Sequence, residues 1–99
     1  MFNLRKETKV GQDVFLSGSI PQLGAWDTGK ALPLSAGKYT AAKPLWYVFE
    51  RMRAGVSFEY KYLVKTADGA AIVWESGSNR RFDVPASCEV SVSVDDEWR

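Results

Sequence analysis

An all-β fold, a sandwich of about seven to eight short antiparallel strands with Greek-key connections, is predicted by three features of the chain. Apolar residues alternate with period two, turn-forming clusters recur at short intervals, and helical i, i+3, i+4 spacing is nowhere sustained. Val14, Leu16, Gly18 and Ile20 fall on one parity and predict the first half-buried strand. The run LWYVFERM, Leu45 to Met52, is β-rich and apolar on both parities at its start, which predicts a central strand covered on both faces there. Phe58, Tyr60, Tyr62 and Val64 alternate again, as do Val90, Val92 and Val94, with Ser91, Ser93 and Asp95 turned away. Turn clusters at Lys9 to Asp13, Pro21 to Lys30, Ser35 to Lys38, Met52 to Val56, Thr66 to Ala70 and Ser76 to Arg80 separate these runs. With no repeat, linker or low-complexity segment, residues 1–99 read as one domain.

Composition removes several functional classes. Thirteen Lys and Arg against twelve Asp and Glu leave a net charge of +1, which is no electrostatic footprint for nucleic acid or an anionic membrane. Cys88 is the only cysteine and histidine is absent, so neither a disulfide within the chain nor a Cys/His metal site is expected, and no cofactor is implied. The N-terminal MFNLRKETKV lacks an apolar stretch long enough for a signal peptide, and no segment approaches membrane-spanning length. The chain thus reads as a module whose targeting sequence lies elsewhere, and as a monomer.

Trp26 and Trp74 carry the functional reading, because each stands in a polar, turn-like stretch, SIPQLGAWD and VWESGSNRRF, where a core residue is out of place. A pyranose presents a flat face of C–H groups edged by hydroxyls, so it needs an aromatic plate with hydrogen-bonding groups at its rim. Stacking one indole on one sugar removes about 100 Å² of apolar surface, roughly 2.5 kcal/mol at ~25 cal/mol/Å². Association costs at least ~4 kcal/mol, so two plates alone leave almost no net affinity. Lys61, on the parity opposite Tyr60 and Tyr62, is placed to donate, and Asn79 can donate and accept. A hydrogen bond from a charged group adds ~1.5–3 kcal/mol. A lone tryptophan in a β-domain is more often a packing residue and a lone lysine an ordinary solvated charge; only the combination points to a ligand. Trp46, inside LWYVF, is assigned to packing, and Trp98, in DDEWR, to a lid on the sandwich edge.

At these residues the chain resembles the starch-binding domains of carbohydrate-binding module family 20, found on fungal glucoamylases and other amylolytic enzymes. The likeness covers nearly the whole chain: SGSIPQLGAWD, LPLSAGKYTAAKPLWYV, AGVSFEYKYLV, VWESGSNRRFDVP and DDEWR stand in the family's order and spacing. It implies an open-sided, immunoglobulin-like β-sandwich without catalysis that binds α-1,4-glucans: starch, amylose, maltooligosaccharides and cyclodextrin. It also implies that the domain targets an attached amylolytic or starch-active oxidative enzyme, secreted from the cell, to the polysaccharide. By the same resemblance, Trp26 and Trp74 form the angled platform of a first site, with Lys61, Glu75 and Asn79 holding glucose hydroxyls. Of a second site, Lys38 and Tyr39 match the family pattern, but Val10 stands where an aromatic is usual and offers no plate to a sugar. One strong site is therefore expected. The family also often pairs a cysteine ahead of the first strand with one near Cys88; this chain begins at Met1 and Phe2 without it, so Cys88 is expected to be a free thiol, whether by truncation or in the native protein.

Other readings remain open at this level. An immunoglobulin-like protein-interaction domain would use the same fold. An intracellular glycogen-tethering module would use the same site. A nucleic-acid reading would place Lys61, Arg80 and Arg81 on phosphates, against the charge balance. An enzyme would have to rely on unpaired carboxylates such as Glu59, Glu75 or Asp83.

Overall fold

The computed structural model describes residues 2–8, 11–37, 39–50, 55–66, 71–84 and 93–99. Eight strands occur among them: β1 (Phe2–Arg5), β2 (Gln12–Gly18), β3 (Leu32–Pro33), β4 (Leu45–Val48), β5 (Ser57–Thr66), β6 (Ile72–Trp74), β7 (Arg80–Asp83) and β8 (Val94–Glu97). They form two sheets. One has the order β4-β1-β8; the other runs β3-β2-β5-β6, with β7 also pairing β5. The ten-residue β5 is long enough to hold β2 along one edge and, along the other, β7 beside Ser57 to Tyr60 and β6 beside Leu63 to Lys65.

Alternation decides which residues meet between the sheets. Val14 and Leu16 of β2 lie opposite Val64 and Tyr62 of β5, and all four are buried. Phe2 and Leu4 face them from the other sheet, beside Val48 and Trp46 of β4. Phe2 packs edge-on against Tyr60 at 5.3 Å and against Phe82 at 5.8 Å between ring centroids, the favoured arrangement of aromatic quadrupoles. The phenols of Tyr60 and Tyr62 reach one end of this core and both donate to Asp96 Oδ2, at 2.9 and 2.7 Å. Burial, and then the Asp96 carboxylate, hold both phenols far above the ordinary tyrosine pKa.

Two expectations are corrected. The LWYVF segment is not a central strand: among the described residues β4 pairs only with β1 within its sheet, and its other edge makes a single bridge, Tyr47 to Ser35. Its second apolar parity, Leu45 and Tyr47, is only half-buried, because Trp46 and Val48 are the residues of β4 directed at the core. The pairing is also not antiparallel throughout, since β1, unassigned from the sequence, lies parallel to β8 with Phe2 opposite Val94. In the last predicted strand, residues 90–92 lie outside the described residues, and β8 continues to Glu97 with Asp95 exposed as expected. Asp96 faces inward because the two phenols and Arg80 hold it. Trp98 packs against the core cluster beneath the Lys6 ammonium, 4.2 Å from its ring centroid.

Candidate carbohydrate-binding site

Lys61, Leu63 and Lys65 alternate with the core residues of β5 and so point to the outer face of the five-stranded sheet. Register places Trp74 opposite Leu63 on that same face. Leu63 is fully buried although it lies outside the core cluster, and its cross-strand neighbours are Trp74 and Phe15, so the foot of the site is apolar.

Trp26 reaches this face from the loop after β2. Gly18 permits the turn, since a Cβ there would lie 2.6 Å from Leu23 Cδ1 and 2.7 Å from the Glu59 carbonyl oxygen. The loop then folds into two short 3-10 turns, Pro21–Leu23 and Thr28–Lys30, around the buried Leu23. Between them Gly24, Ala25 and Trp26 all take left-handed backbone angles, with φ of 84°, 48° and 68°. For Ala25 and Trp26 this costs roughly 1–2 kcal/mol each. Main-chain hydrogen bonds hold them there: Ala25 N to Ile20 O at 3.1 Å, Trp26 N to Gly18 O at 3.0 Å and Asp27 N to Gly24 O at 2.9 Å. Asp27 Oδ1 accepts from Gly29 N, and the Lys65 ammonium crosses the Phe15 ring to donate to the Thr28 carbonyl, tying the loop to β5.

The result is a pair of indoles with ring centroids 6.3 Å apart and planes inclined at 53°. Trp74 is 37% exposed and Trp26 half-buried. Two inclined plates present successive apolar surfaces to a curved chain, whereas a flat ribbon would meet only one squarely. At the rim, Lys61 Nζ donates to Gly77 O at 2.7 Å, one of its three donors, and Asn79 is exposed at the end of the same loop. Trp26 and Trp74 thus stand together, Lys61 lies on the same face of the sheet, and Asn79 is exposed two residues beyond the Gly77 that Lys61 holds.

Glu75 departs from the expectation that its carboxylate holds a glucose hydroxyl. It is 2% exposed and turned beneath the site. Oε1 accepts from Tyr62 N at 3.1 Å and from Arg80 Nε at 3.0 Å, and Oε2 pairs with Arg80 Nη2 at 2.9 Å. Burial opposes the charge on Arg80, but Glu75 and then Asp96, 3.1 Å from Nη1, outweigh it and raise the Arg80 pKa. Glu75 thus anchors the loop behind Trp74. Nothing in a lone ESGSNR string distinguishes such an anchor from a ligand group, and the partners Arg80 and Asp96 become legible only through the pairing of β5 with β7 and of β1 with β8.

Of the second-site residues, Val10 and Lys38 lie outside the described residues, as does Cys88. Tyr39 is half-buried, packs edge-on against Trp46 at 6.2 Å, and accepts a hydrogen bond from Thr8 N at 3.2 Å.

Comparison with known proteins identifies the family. The profile of the starch binding domain family matches residues 1–94. The chain is 46% identical over 99 residues to glucoamylase-1 of Arthroderma benhamiae, covering 99% of this chain and 16% of that protein. It is 43% identical over 98 residues to an AA13 family lytic polysaccharide monooxygenase A of Pyricularia oryzae, covering 99% of this chain and 26% of that one. The chain therefore spans between about a sixth and a quarter of these relatives. It superposes on the family 20 carbohydrate-binding module of a maltotetraose-forming amylase from Pseudomonas saccharophila with a TM-score of 0.78 and 26% identity, covering 98% of this chain and 96% of that one. The β-sandwich, the matched profile and these relatives together place the chain in the family of starch binding domains, CBM20, as a non-catalytic carbohydrate-binding module.

Proposed function

We propose that the domain binds single α-1,4-glucan chains of starch, amylose, maltooligosaccharides and cyclodextrin, stacking glucose units on Trp26 and Trp74 with Lys61 and Asn79 on their hydroxyls. The observation that carries this reading is the indole pair at 6.3 Å and 53°, open to solvent above an apolar floor. The domain acts as a monomer outside the cell and holds an attached starch-active enzyme on its polysaccharide. Relatives named as a glucoamylase and as a polysaccharide monooxygenase support either a hydrolytic or an oxidative parent. The second site contributes little: Val10 supplies no ring, and the Tyr39 ring is engaged with Trp46. A nucleic-acid role is disfavoured because Arg80 is committed to Glu75 and Asp96, and Arg81 pairs with Asp83 at 3.2 Å.

Retention of the isolated domain on granular starch and on microcrystalline cellulose tests the proposal. Retention is expected on starch alone and should hardly change between low and moderate salt, since no phosphate counterions are released. Equal retention on both solids, or a steep loss with salt, would contradict it.

A further inference from the structure

The loop that carries Gly77 and Asn79 makes no core of its own. Ser76, Gly77, Ser78 and Asn79 are all exposed, and Gly77 sits at φ 89°. Its order must come from outside, and two cations from different sheets supply it. Lys61, from β5, donates to Gly77 O at 2.7 Å. Beyond β8, Trp98 N bonds Arg5 O at 3.2 Å and keeps the chain on β1 for one more residue. Arg99 then turns onto the loop. Its main-chain oxygen accepts from Ser76 N at 3.1 Å, and its Nη2 donates to Ser78 O at 2.9 Å. Its Nε stands 3.9 Å from Glu75 Oε2, and a Cβ on Gly77 would meet the guanidinium at 3.7 to 3.9 Å, so the bare glycine backbone packs against that group.

We propose that Arg99 is a positioning residue for the glucan site. It touches no sugar. It fixes the 75–79 loop from the side of the three-stranded sheet, so that Gly77 O stays within reach of the Lys61 ammonium and Asn79 stays at the rim of the indole platform. Its side chain is 42% exposed, and its ionic contact with Glu75 duplicates the shorter one from Arg80, so the fold does not depend on it. Without that side chain, Ser78 O loses its donor and the loop keeps only the Lys61 bond to Gly77 O and the main-chain bond from Ser76 N to Arg99 O among these contacts, so glucan binding must order its tip anew. The inference rests on the site proposed above.

A double-mutant cycle with maltoheptaose, read by calorimetric titration alongside thermal melting, tests it. Arg99→Ala is expected to weaken binding about tenfold with the midpoint nearly unmoved, the loss of one charge-assisted hydrogen bond and its ordering. Lys61→Ala should cost a similar factor. The double variant should lose much less than the product of the two, because Arg99 acts through the loop that Lys61 grips. Arg99→Lys, which keeps the charge without the planar fork, should fall between wild type and Arg99→Ala. Wild-type affinity in Arg99→Ala, strictly multiplicative losses in the double variant, or an affinity loss tracking an equal loss of stability would overturn the proposal. Trp74→Ala is the control: full binding there would sink the platform itself, whereas its loss beside an unaffected Arg99→Ala would sink the role of Arg99 alone.

Discussion

Replacing Trp74 by alanine is expected to weaken maltoheptaose binding by roughly 2–4 kcal/mol, the scale of an aromatic hot spot, while the domain stays folded. One plate of the inclined pair disappears, and with it the surface on which a second glucose would stack. The strand beneath remains, since β6 is held to β5 by main-chain pairing from Leu63 to Lys65. Trp74 is the most C-terminal residue of that edge strand and 37% exposed, so its ring contributes little to the core between the sheets. Some stability is lost where Leu63 becomes uncovered, but far less than for a core ring. Calorimetric titration gives the affinity and a thermal melt the stability. A variant that unfolds would show that the indole is structural and not a plate.

Trp46→Ala should behave in the opposite way, destabilising the domain by ~3–5 kcal/mol while leaving the glucan affinity of the folded fraction unchanged. Trp46 is 5% exposed, sits opposite Leu4 on β1, and meets Tyr39 edge-on. Truncation opens a cavity at the edge of the three-stranded sheet, where, among the described residues, β1 and the Ser35 bridge hold β4. In a domain of this size each 1 kcal/mol moves the midpoint by about 4–8 °C, so the shift is easily read in a thermal melt. Among the described residues its Nε1 meets no acceptor, so the ring is kept for its apolar volume and not for a hydrogen bond. A midpoint near that of wild type would place Trp46 outside the core.

These two tryptophans show what the sequence makes legible. Trp46 stands in an apolar run and Trp74 in a polar one, and local context alone sorts core from surface in both cases. The strict parity of β2 and β5 likewise identifies Val14, Leu16, Tyr60, Tyr62 and Val64 as interior and Lys61 as exterior to the core. Less legible is whatever depends on partners distant in the chain. β1, four residues long, is too short to read as a strand, and its place in the middle of a sheet follows from β4 and β8 flanking it. LWYVF reads as doubly covered because hydrophobicity does not reveal that a strand is an edge.

The site divides in the same way. Side chains that face solvent, such as Lys61 and Asn79, can be placed from parity and turn chemistry. Glu75 cannot, because a carboxylate after an exposed tryptophan looks like a ligand until Arg80 and the Tyr62 amide are seen to enclose it. The left-handed Ala25 and Trp26 are equally hidden, since neither residue type announces a positive φ.

Nuclear magnetic resonance of the four tryptophan indole N–H groups during titration with maltoheptaose tests the platform most directly. The resonances of Trp26 and Trp74 should shift together and saturate on one isotherm, while Trp46, buried in the core, and Trp98, under Lys6, stay fixed. Cellohexaose at the same concentrations should move none of them. Shifts confined to Trp98 or Trp46, or an equal response to the β-linked chain, would contradict an inclined Trp26–Trp74 platform as the seat of α-1,4-glucan binding.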